Sequence, residues 1–527
     1  MNPATWRIAP FSRAQWRVLV VALLAAAAPG VAESSFDYMR NGIQDGLAMS
    51  NADMVTLTLV PRIASLLVVF AAGIFLDALP WRRTLIGAAG VFLLGAAAVS
   101  AAGGFAMVVL GQSLAGIGGV VLGIGGLAMI GEAFEGPERA WAFGLWAAVG
   151  SAVYLVFPIA ASWIALASGW RAVPILWALV GVTLGLVVAR LAGGGAGAAP
   201  AGLGARLVAP LLAGVVLAAG VTAINTADDG AWTWVPCAAT SVVALLALVG
   251  LRSGARGRVP PLDLRVLRGR GAVLVVAAIL LAQAAMTLWY FTSVVLSRTY
   301  QLDDISIALV LVPVQLCGVL GGWLGGWTMR RIGAPLAAAV LLVPAGLASG
   351  FAVIVDPVTA VPAVVAWMAG WNLLAVAAVV PVTAAFMGFA PAGGKGAASS
   401  TRKAVSAIGV TAGAVVASLL VFASLGASVS STLQERGVPQ AQAEAVGAAL
   451  RDGLRVADLP NVGDTSSTRL REALHSQGAV MLEGKDEAYA TAGIFAMSAD
   501  LLAALLMFGV WRRTRRAGPL DSGGAPE

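Results

Sequence analysis

About fourteen apolar segments, each of roughly 20 residues and so long enough to cross a lipid bilayer, follow one another along the chain. The segments 85–99, 207–221 and 273–296, for example, contain no charged residue. Charged residues make up 11% of the 527 residues, against 59% hydrophobic ones, and lie almost entirely in the connections. Because a water-soluble fold needs far more polar surface, the chain is predicted to be an all-α integral membrane protein surrounded by the lipid bilayer.

The apolar segments are arranged as six, two and six spans. This order predicts an N-terminal six-helix bundle over residues 1–192, linkers with two extra central helices over 193–270, and a C-terminal six-helix bundle over 271–527. Two bundles of this kind are the plan of many secondary transporters. The predicted spans are 16–39, 52–76, 84–101, 105–130, 140–165, 172–191, 207–223, 232–251, 272–296, 306–329, 334–354, 358–387, 398–423 and 490–511.

Residues 426–487 form the one sizeable polar insertion, which we expect outside the cell membrane. Its segment 440–456 carries apolar residues at helical spacing, typical of an amphipathic helix, and 467–482 could hold a second short helix. Two interpretations remain open: a solvated connector, or a lid over the outer mouth.

Lysine and arginine are concentrated in alternate connections, as cytoplasmic loops require. With an even number of spans, both termini and the basic clusters fall on the cytoplasmic side of the inner (cytoplasmic) membrane. The net charge of +7 therefore reflects topology, and no nucleic-acid partner is indicated.

Ionisable residues inside the spans are the first candidates for function, because burying a charge in lipid is costly. Glu33 and Asp37 lie on one face of the first span, and Arg62 lies near the middle of the second. Glu33 and Arg62 could form an ion pair, either as a tuned proton site or as a static link between helices. Arg402 could face a cavity or extend to the cytoplasmic interface, and Asp500 near the middle of the last span could bind a proton.

Weaker polar residues could line a solute pathway or only bridge helices. They are Gln112, Gln283, Tyr290, Gln315 and Asn372. In the fourth span, six glycines between 116 and 126 should allow neighbouring helices to approach closely. No histidine cluster, aspartate pair, nucleophile–base set or nucleotide-binding loop occurs at membrane depth, so we expect no enzyme, metal or cofactor.

Several motifs resemble the major facilitator superfamily, specifically its fourteen-span drug:proton antiporter branch, over nearly the whole chain. The sequence GIFLDALPWRR, residues 73–83, is similar to the family's loop G-x-L-a-D-r-x-G-R-R between spans two and three. In the family this loop braces one bundle against helix ends during conformational switching. The resemblance thus implies gate roles for Gly73, Asp77, Arg82 and Arg83, and Arg139 matches the family's entry to span five.

Two positions depart from the pattern of the antiporter branch. Gln112 stands where the span-four motif has an arginine tied to proton coupling. In span five, Pro158 is followed by Ile-Ala-Ala-Ser instead of the glycines of the antiporter motif.

The resemblance implies a major facilitator fold and a monomeric efflux transporter. We expect it to export an amphipathic or hydrophobic small molecule by proton antiport, as multidrug resistance transporters do. Two alternatives stay open: an exporter or facilitator of a lipid or lipid-linked precursor, and a non-transporting membrane sensor or assembly partner that uses the insertion 426–487.

Overall fold

The structure is a computed structural model that describes residues 11–191, 203–226, 269–289, 304–354, 360–390, 394–435, 439–451 and 477–516, with single positions at 292, 296, 302 and 437. In this part of the chain every element is helical, as predicted. The helices are α1 Arg13–Phe36, α2 Arg40–Gly46, α3 Asn51–Ala78, α4 Trp81–Ser100, α5 Phe105–Ala133, α6 Gly136–Ser168, α7 Pro174–Leu191, α8 Leu203–Thr226, α9 Arg270–Ala285, α10 Asp304–Val310, α11 Val312–Ile332, α12 Ala334–Gly350, α13 Val361–Gly388, α14 Lys395–Glu435, α15 Gln440–Arg451 and α16 Gln477–Arg516.

Twelve stretches of helix within the described residues are long and apolar enough to cross a membrane. They coincide with the six spans predicted before residue 192 and the six predicted after residue 270. Of the two extra spans, 207–223 lies in α8, and 232–251 lies outside the described residues. The total of fourteen spans therefore stays a prediction.

Local sequence signals account for the ends of the first spans. Ser12 and Gln15 form a capping box that starts α1, and Ser50 and Asp53 form another that starts α3. The prolines inside these helices are tolerated because neighbouring side chains and helices compensate for the missing hydrogen bond.

Two groups of helices pack into bundles. In the N-terminal bundle α5 contacts α1, α3 and α4, and α7 packs against α1 and α4. In the C-terminal bundle α11 packs against α13, and α16 packs against α9, α12 and α14. The main contacts between the bundles join α6 to α11 and α3 to α14, while α8 lies along the side of α3.

The insertion begins as a continuation of a membrane span. Helix α14 runs past the predicted end at 423 to Glu435, through a stretch that contains no proline. The predicted amphipathic helix is confirmed as α15, which packs back on α14 and buries Ala443 and Val446. The second predicted short helix is part of α16 from Gln477 onward, and its residues 467–476 lie outside the described residues.

Candidate functional site

The glycine-rich helix α5 forms the centre of the N-terminal bundle. A Cβ atom on Gly116 would lie 2.5 Å from the Pro61 carbonyl oxygen of α3, and one on Gly118 would lie 2.6 Å from the Phe92 nitrogen of α4. Gly119 faces Pro29 of α1. The predicted close approach of helices is thus confirmed, since three neighbouring helices touch the backbone of α5 where side chains are missing.

Glu33 has a tyrosine as its hydrogen-bond partner. The Tyr154 hydroxyl of α6 donates to Glu33 Oε2 at 3.1 Å, so the partner of this carboxylate is Tyr154 and not Arg62. Asp37 and Arg62 are nonetheless close enough to act electrostatically on the same hydroxyl. The three ionisable side chains are exposed, and Tyr154 is 40% exposed. The first two spans and α6 therefore bring two carboxylates, a guanidinium and a phenol into one polar cluster.

Gln112 lies on α5 one turn before Gly116 and is only 2% exposed. Its side-chain nitrogen has no hydrogen-bond partner within the described residues. A buried amide without a partner is unfavourable, so this position is a polar group available to a bound molecule or a water.

The loop motif between the second and third spans crosses between the bundles. Asp77 accepts hydrogen bonds from the backbone nitrogens of Gly396 at 2.8 Å and Ala397 at 2.9 Å, in the first turn of α14. A carboxylate at a helix N-terminus satisfies free N–H groups and interacts favourably with the helix dipole. A Cβ atom on Gly73 would lie 2.5 Å from Ser400 Oγ, so glycine is what lets α3 approach α14.

Two other basic residues donate hydrogen bonds to the free carbonyl groups at the C-terminal ends of helices. Arg139 donates from Nε to the Phe134 carbonyl at 2.7 Å and from Nη2 to the Gly131 carbonyl at 3.2 Å, at the end of α5. Lys395 donates to the carbonyls of Met387 and Ala390, both at 3.0 Å, at the end of α13. Arg82 and Arg83 are exposed at the start of α4.

A second contact between the bundles joins α6 to α11. Gly144 of α6 faces Gly322 of α11, where a Cβ atom on either residue would fall within 2.8 Å of the backbone of the other helix. Asn372 of α13 donates to the Val314 carbonyl at 2.9 Å and is buried, as is Gln315. Asn372 therefore bridges α13 and α11 near the seam, which was one of its two predicted roles, whereas Gln315 is buried on α11 and its role stays a prediction. In the same helix α6, Pro158 is buried and its carbonyl accepts a hydrogen bond from Ser162.

A cavity opens inside the C-terminal bundle. Its polar lining consists of Gln283, Thr383, Arg402 and Asp500, and the rest is apolar side chains of α9, α12 and α13. Arg402 Nε donates to Thr383 Oγ1 at 2.9 Å, and its guanidinium lies 5.1 Å from the ring centroid of Trp146 on α6 of the other bundle. Arg402 therefore faces the cavity rather than extending to the cytoplasmic interface.

Asp500 is 2% exposed, and its Oδ2 atom has no hydrogen-bond partner within the described residues. Gly346 of α12 allows it to pack closely, since a Cβ atom there would lie 3.1 Å from Asp500 Cβ. The Ser349 hydroxyl is beside the carboxyl group.

Tyr290, which the sequence indicated as a possible pathway residue, lies outside the described residues.

Sequence patterns did not indicate Tyr154, Thr383 as an arginine partner, or Trp146. Tyr154 could have been found from its position, because the chain has only five tyrosines and this one lies inside an apolar span. The role of Trp146 carried no such signal among 16 tryptophans, most of which are equally suited to packing or to the membrane interface.

Two helical bundles that meet along α6–α11 and α3–α14 are the architecture of many secondary transporters. The family model of the Major Facilitator Superfamily matches residues 18–414. The chain therefore belongs to the Major Facilitator Superfamily, whose members bind small-molecule substrates and usually act as monomers. Family and fold point to a multi-pass membrane transporter rather than an enzyme.

Solved structures share this fold at low sequence identity. The human organic anion transporter MFSD10 (TETRAN) aligns with a TM-score of 0.55 and 14% identity, covering 94% of this chain and 100% of that one. A bacterial homologue of the iron transporter ferroportin in an outward-facing state aligns with a TM-score of 0.56 and 11% identity, covering 95% of this chain and 100% of that one. The proton:xylose symporter XylE aligns with a TM-score of 0.53 and 14% identity, covering 94% of this chain and 95% of that one.

At these identities the likeness establishes the fold alone. Among curated proteins, no sequence matches this chain significantly.

Proposed function

We propose that this protein is a secondary exporter that moves an amphipathic or hydrophobic small molecule out across the inner (cytoplasmic) membrane in exchange for protons. Both termini lie in the cytoplasm in this proposal. The observation that carries it is the cluster around Glu33, a carboxylate at membrane depth whose hydrogen-bond partner is a tyrosine. Such a carboxylate can bind and release a proton, and intramembrane carboxylates of this kind serve as proton relays in transporters.

The contact between Asp77 and the first turn of α14 supports alternating access. It holds the cytoplasmic ends of two helices from different bundles together, and it depends on backbone N–H groups that separate when the bundles rock apart. Protonation of Glu33 in the N-terminal bundle and rearrangement of the Asp77 contact would then be two steps of one transport cycle. The charges of Arg62 and Asp37 would adjust the proton affinity of Glu33.

Proton exchange can be tested with purified protein in liposomes that have an acidic lumen and a trapped pH-sensitive dye. The probes are 2-naphthalenesulfonate, 2-naphthalenemethanol and 2-naphthylmethyltrimethylammonium, which share one apolar body and keep fixed charges of −1, 0 and +1. Addition of a transported probe should make the lumen more alkaline faster than in protein-free liposomes. Glu33→Gln should reduce this exchange at least about 100-fold, as expected when an essential proton-transfer group is removed.

The matched control is Glu444→Gln, the same chemical change on exposed α15, which should leave exchange unchanged. Probe movement without any proton signal would refute antiport and favour a facilitator or lipid exporter. Equal exchange by the Glu33→Gln variant would remove Glu33 from the coupling.

A further inference from the structure

The cavity of the C-terminal bundle holds an arginine at membrane depth without a carboxylate in ion-pair contact. Starting from the proposed transport function, we propose that this cavity is a subsite for the anionic head group of an amphipathic solute, and that Arg402 binds that group. The chemical class is a carboxylate, sulfonate or phosphate ester attached to an apolar body.

The position of Arg402 is fixed from two sides, which leaves its charged end available. Nε donates to Thr383 Oγ1 at 2.9 Å, and the guanidinium carbon lies 5.1 Å from the centroid of the Trp146 ring. These contacts orient the planar group but use only one of its five N–H donors. Within the part of the chain that the structure describes, the terminal nitrogens have no acceptor, and a planar fork of this kind matches the two oxygens of an anion.

The cavity has a volume of about 20 Å³, which admits a water-sized polar group, so the apolar body of the solute has to displace or extend past the apolar side chains that line it. Ile279, Leu342 and Val382 belong to its lining, and Gln283 adds a single uncharged polar group. An apolar wall with a few convergent polar groups is the usual composition of a small-molecule site. An anion bound here would also neutralise a cation that the membrane otherwise disfavours.

Asp500 gives the site a dependence on protons. It shares the cavity with Arg402, is 98% buried, and has a free Oδ2 atom. A negatively charged Asp500 repels an anionic head group and competes for Arg402, whereas a neutral carboxylic acid can donate a hydrogen bond to it. Anion binding is therefore expected to strengthen as the pH falls.

Few other charges can produce this effect. Helix α16 packs against α9, α12 and α14, and α12 carries no charged residue. Arg270 begins α9 and Lys395 begins α14, both at the cytoplasmic ends of their helices, and Lys403 is exposed. Among the described residues that line the cavity, Arg402 is the one charged group besides Asp500.

Binding can be measured directly, without a gradient, so the result does not depend on proton exchange. The experiment uses the full chain in nanodiscs and isothermal titration calorimetry with the three fixed-charge naphthalene probes, and empty nanodiscs give the background. The native protein should bind the sulfonate about 10- to 100-fold more tightly than the alcohol or the ammonium, the range expected for a charge-assisted hydrogen bond. Arg402→Gln should abolish this preference, while the neighbouring Lys403→Gln should keep it.

Asp500→Asn should bind the sulfonate at least as tightly as the native protein at pH 8 and should lose the tightening seen between pH 8 and pH 6. If Arg402→Gln does not fold, Arg402→Lys keeps the charge but loses the planar fork, and it should retain a reduced preference for the sulfonate. The proposal is overturned if the native protein prefers the ammonium, if Arg402→Gln binds the sulfonate as well as native, or if Asp500→Asn loses as much sulfonate affinity as Arg402→Gln. A protein that binds the sulfonate as expected but moves no protons would refute only the exchange mechanism.

Discussion

The intramembrane ionisable residues differ in how their polar atoms are satisfied. Glu33 accepts a hydrogen bond from Tyr154, Arg402 donates one to Thr383, and Asp500 keeps an oxygen without a partner. A group with a protein partner is held in place between transport steps, whereas a group without one is free to bind a proton or a solute. The proposed proton site at Glu33 and the proposed anion site at Arg402 are each positioned by one such partner, and they lie in different bundles.

Removal of the tyrosine hydroxyl should affect exchange only through Glu33. We expect Tyr154→Phe to slow proton-coupled exchange, but less than Glu33→Gln does, because the carboxylate remains. The double variant should be no slower than Glu33→Gln alone. The resulting interaction energy in a double-mutant cycle should be about 1.5–3 kcal/mol, the range for a hydrogen bond to a charged group.

The exchange assay in liposomes measures this cycle. The reference pair combines Tyr154→Phe with Glu444→Gln on α15, where the effects should simply add. An additive effect of Tyr154→Phe and Glu33→Gln would contradict a functional link between the two side chains.

The candidates Glu33, Arg402 and Asp500 could be recognised in the sequence because a charge inside a long apolar segment is conspicuous. Their partners could not be recognised. Tyr154 lies 121 residues from Glu33, and the pairing exists only because α6 packs against α1. An ion pair between Glu33 and Arg62 was possible from their similar depth in the first two spans. In the structure α1 and α3 each pack against α5, and the hydrogen-bond partner of Glu33 is the tyrosine of α6.

Helix α5 shows how a pattern of small residues determines which elements are neighbours. Its glycines are distributed around the helix, so α1, α3 and α4 each find a face without side chains. The span lengths were predictable for a related reason, since the bilayer sets the length of each apolar segment. The ends of α14 and α16 were not, because these helices continue beyond the bilayer, where hydropathy no longer marks the boundary.

A methyl group at one of these contacts should destabilise the bundle. Gly116→Ala places a Cβ atom 2.5 Å from the Pro61 carbonyl oxygen and 3.0 Å from Ser65 Oγ, which also hydrogen-bonds the Gly116 carbonyl. We expect a loss of about 1–3 kcal/mol in the free energy of unfolding, as for other overpacked sites, seen as a lower midpoint of thermal unfolding in detergent.

The control is Gly90→Ala on α4, where a Cβ atom would meet nothing within 4 Å. This variant should be neutral or slightly more stable, because alanine favours the helix. Similar midpoints for the two variants would show that α5 does not need glycine at position 116.

The molecule as a whole consists of two bundles that meet at two contacts, α6 with α11 and α3 with α14, and these two contacts differ in kind. Between α6 and α11 the contact is glycine against glycine, which tolerates small rotations because few polar bonds must break. Between α3 and α14 close packing at Gly73 is combined with two hydrogen bonds from backbone N–H groups to the Asp77 carboxylate. The first is suited to act as a pivot and the second as a latch that opens and closes.

Loss of this latch should shift the population of conformations toward a wider cytoplasmic side. Asp77→Ala removes both hydrogen bonds to the first turn of α14, and because the carboxylate is exposed we expect the two together to contribute about 1.5–3 kcal/mol. The ratio of open to closed cytoplasmic states should therefore rise about 10- to 100-fold. Spin labels at Arg190 on α7 and Ile332 on α11, both exposed near the C-terminal ends of their helices on the proposed cytoplasmic side, would report it as longer distances in pulsed EPR. Asp45→Ala, on exposed α2, should leave the distances unchanged, and unchanged distances in Asp77→Ala as well would mean that the glycine seam alone holds the cytoplasmic side closed.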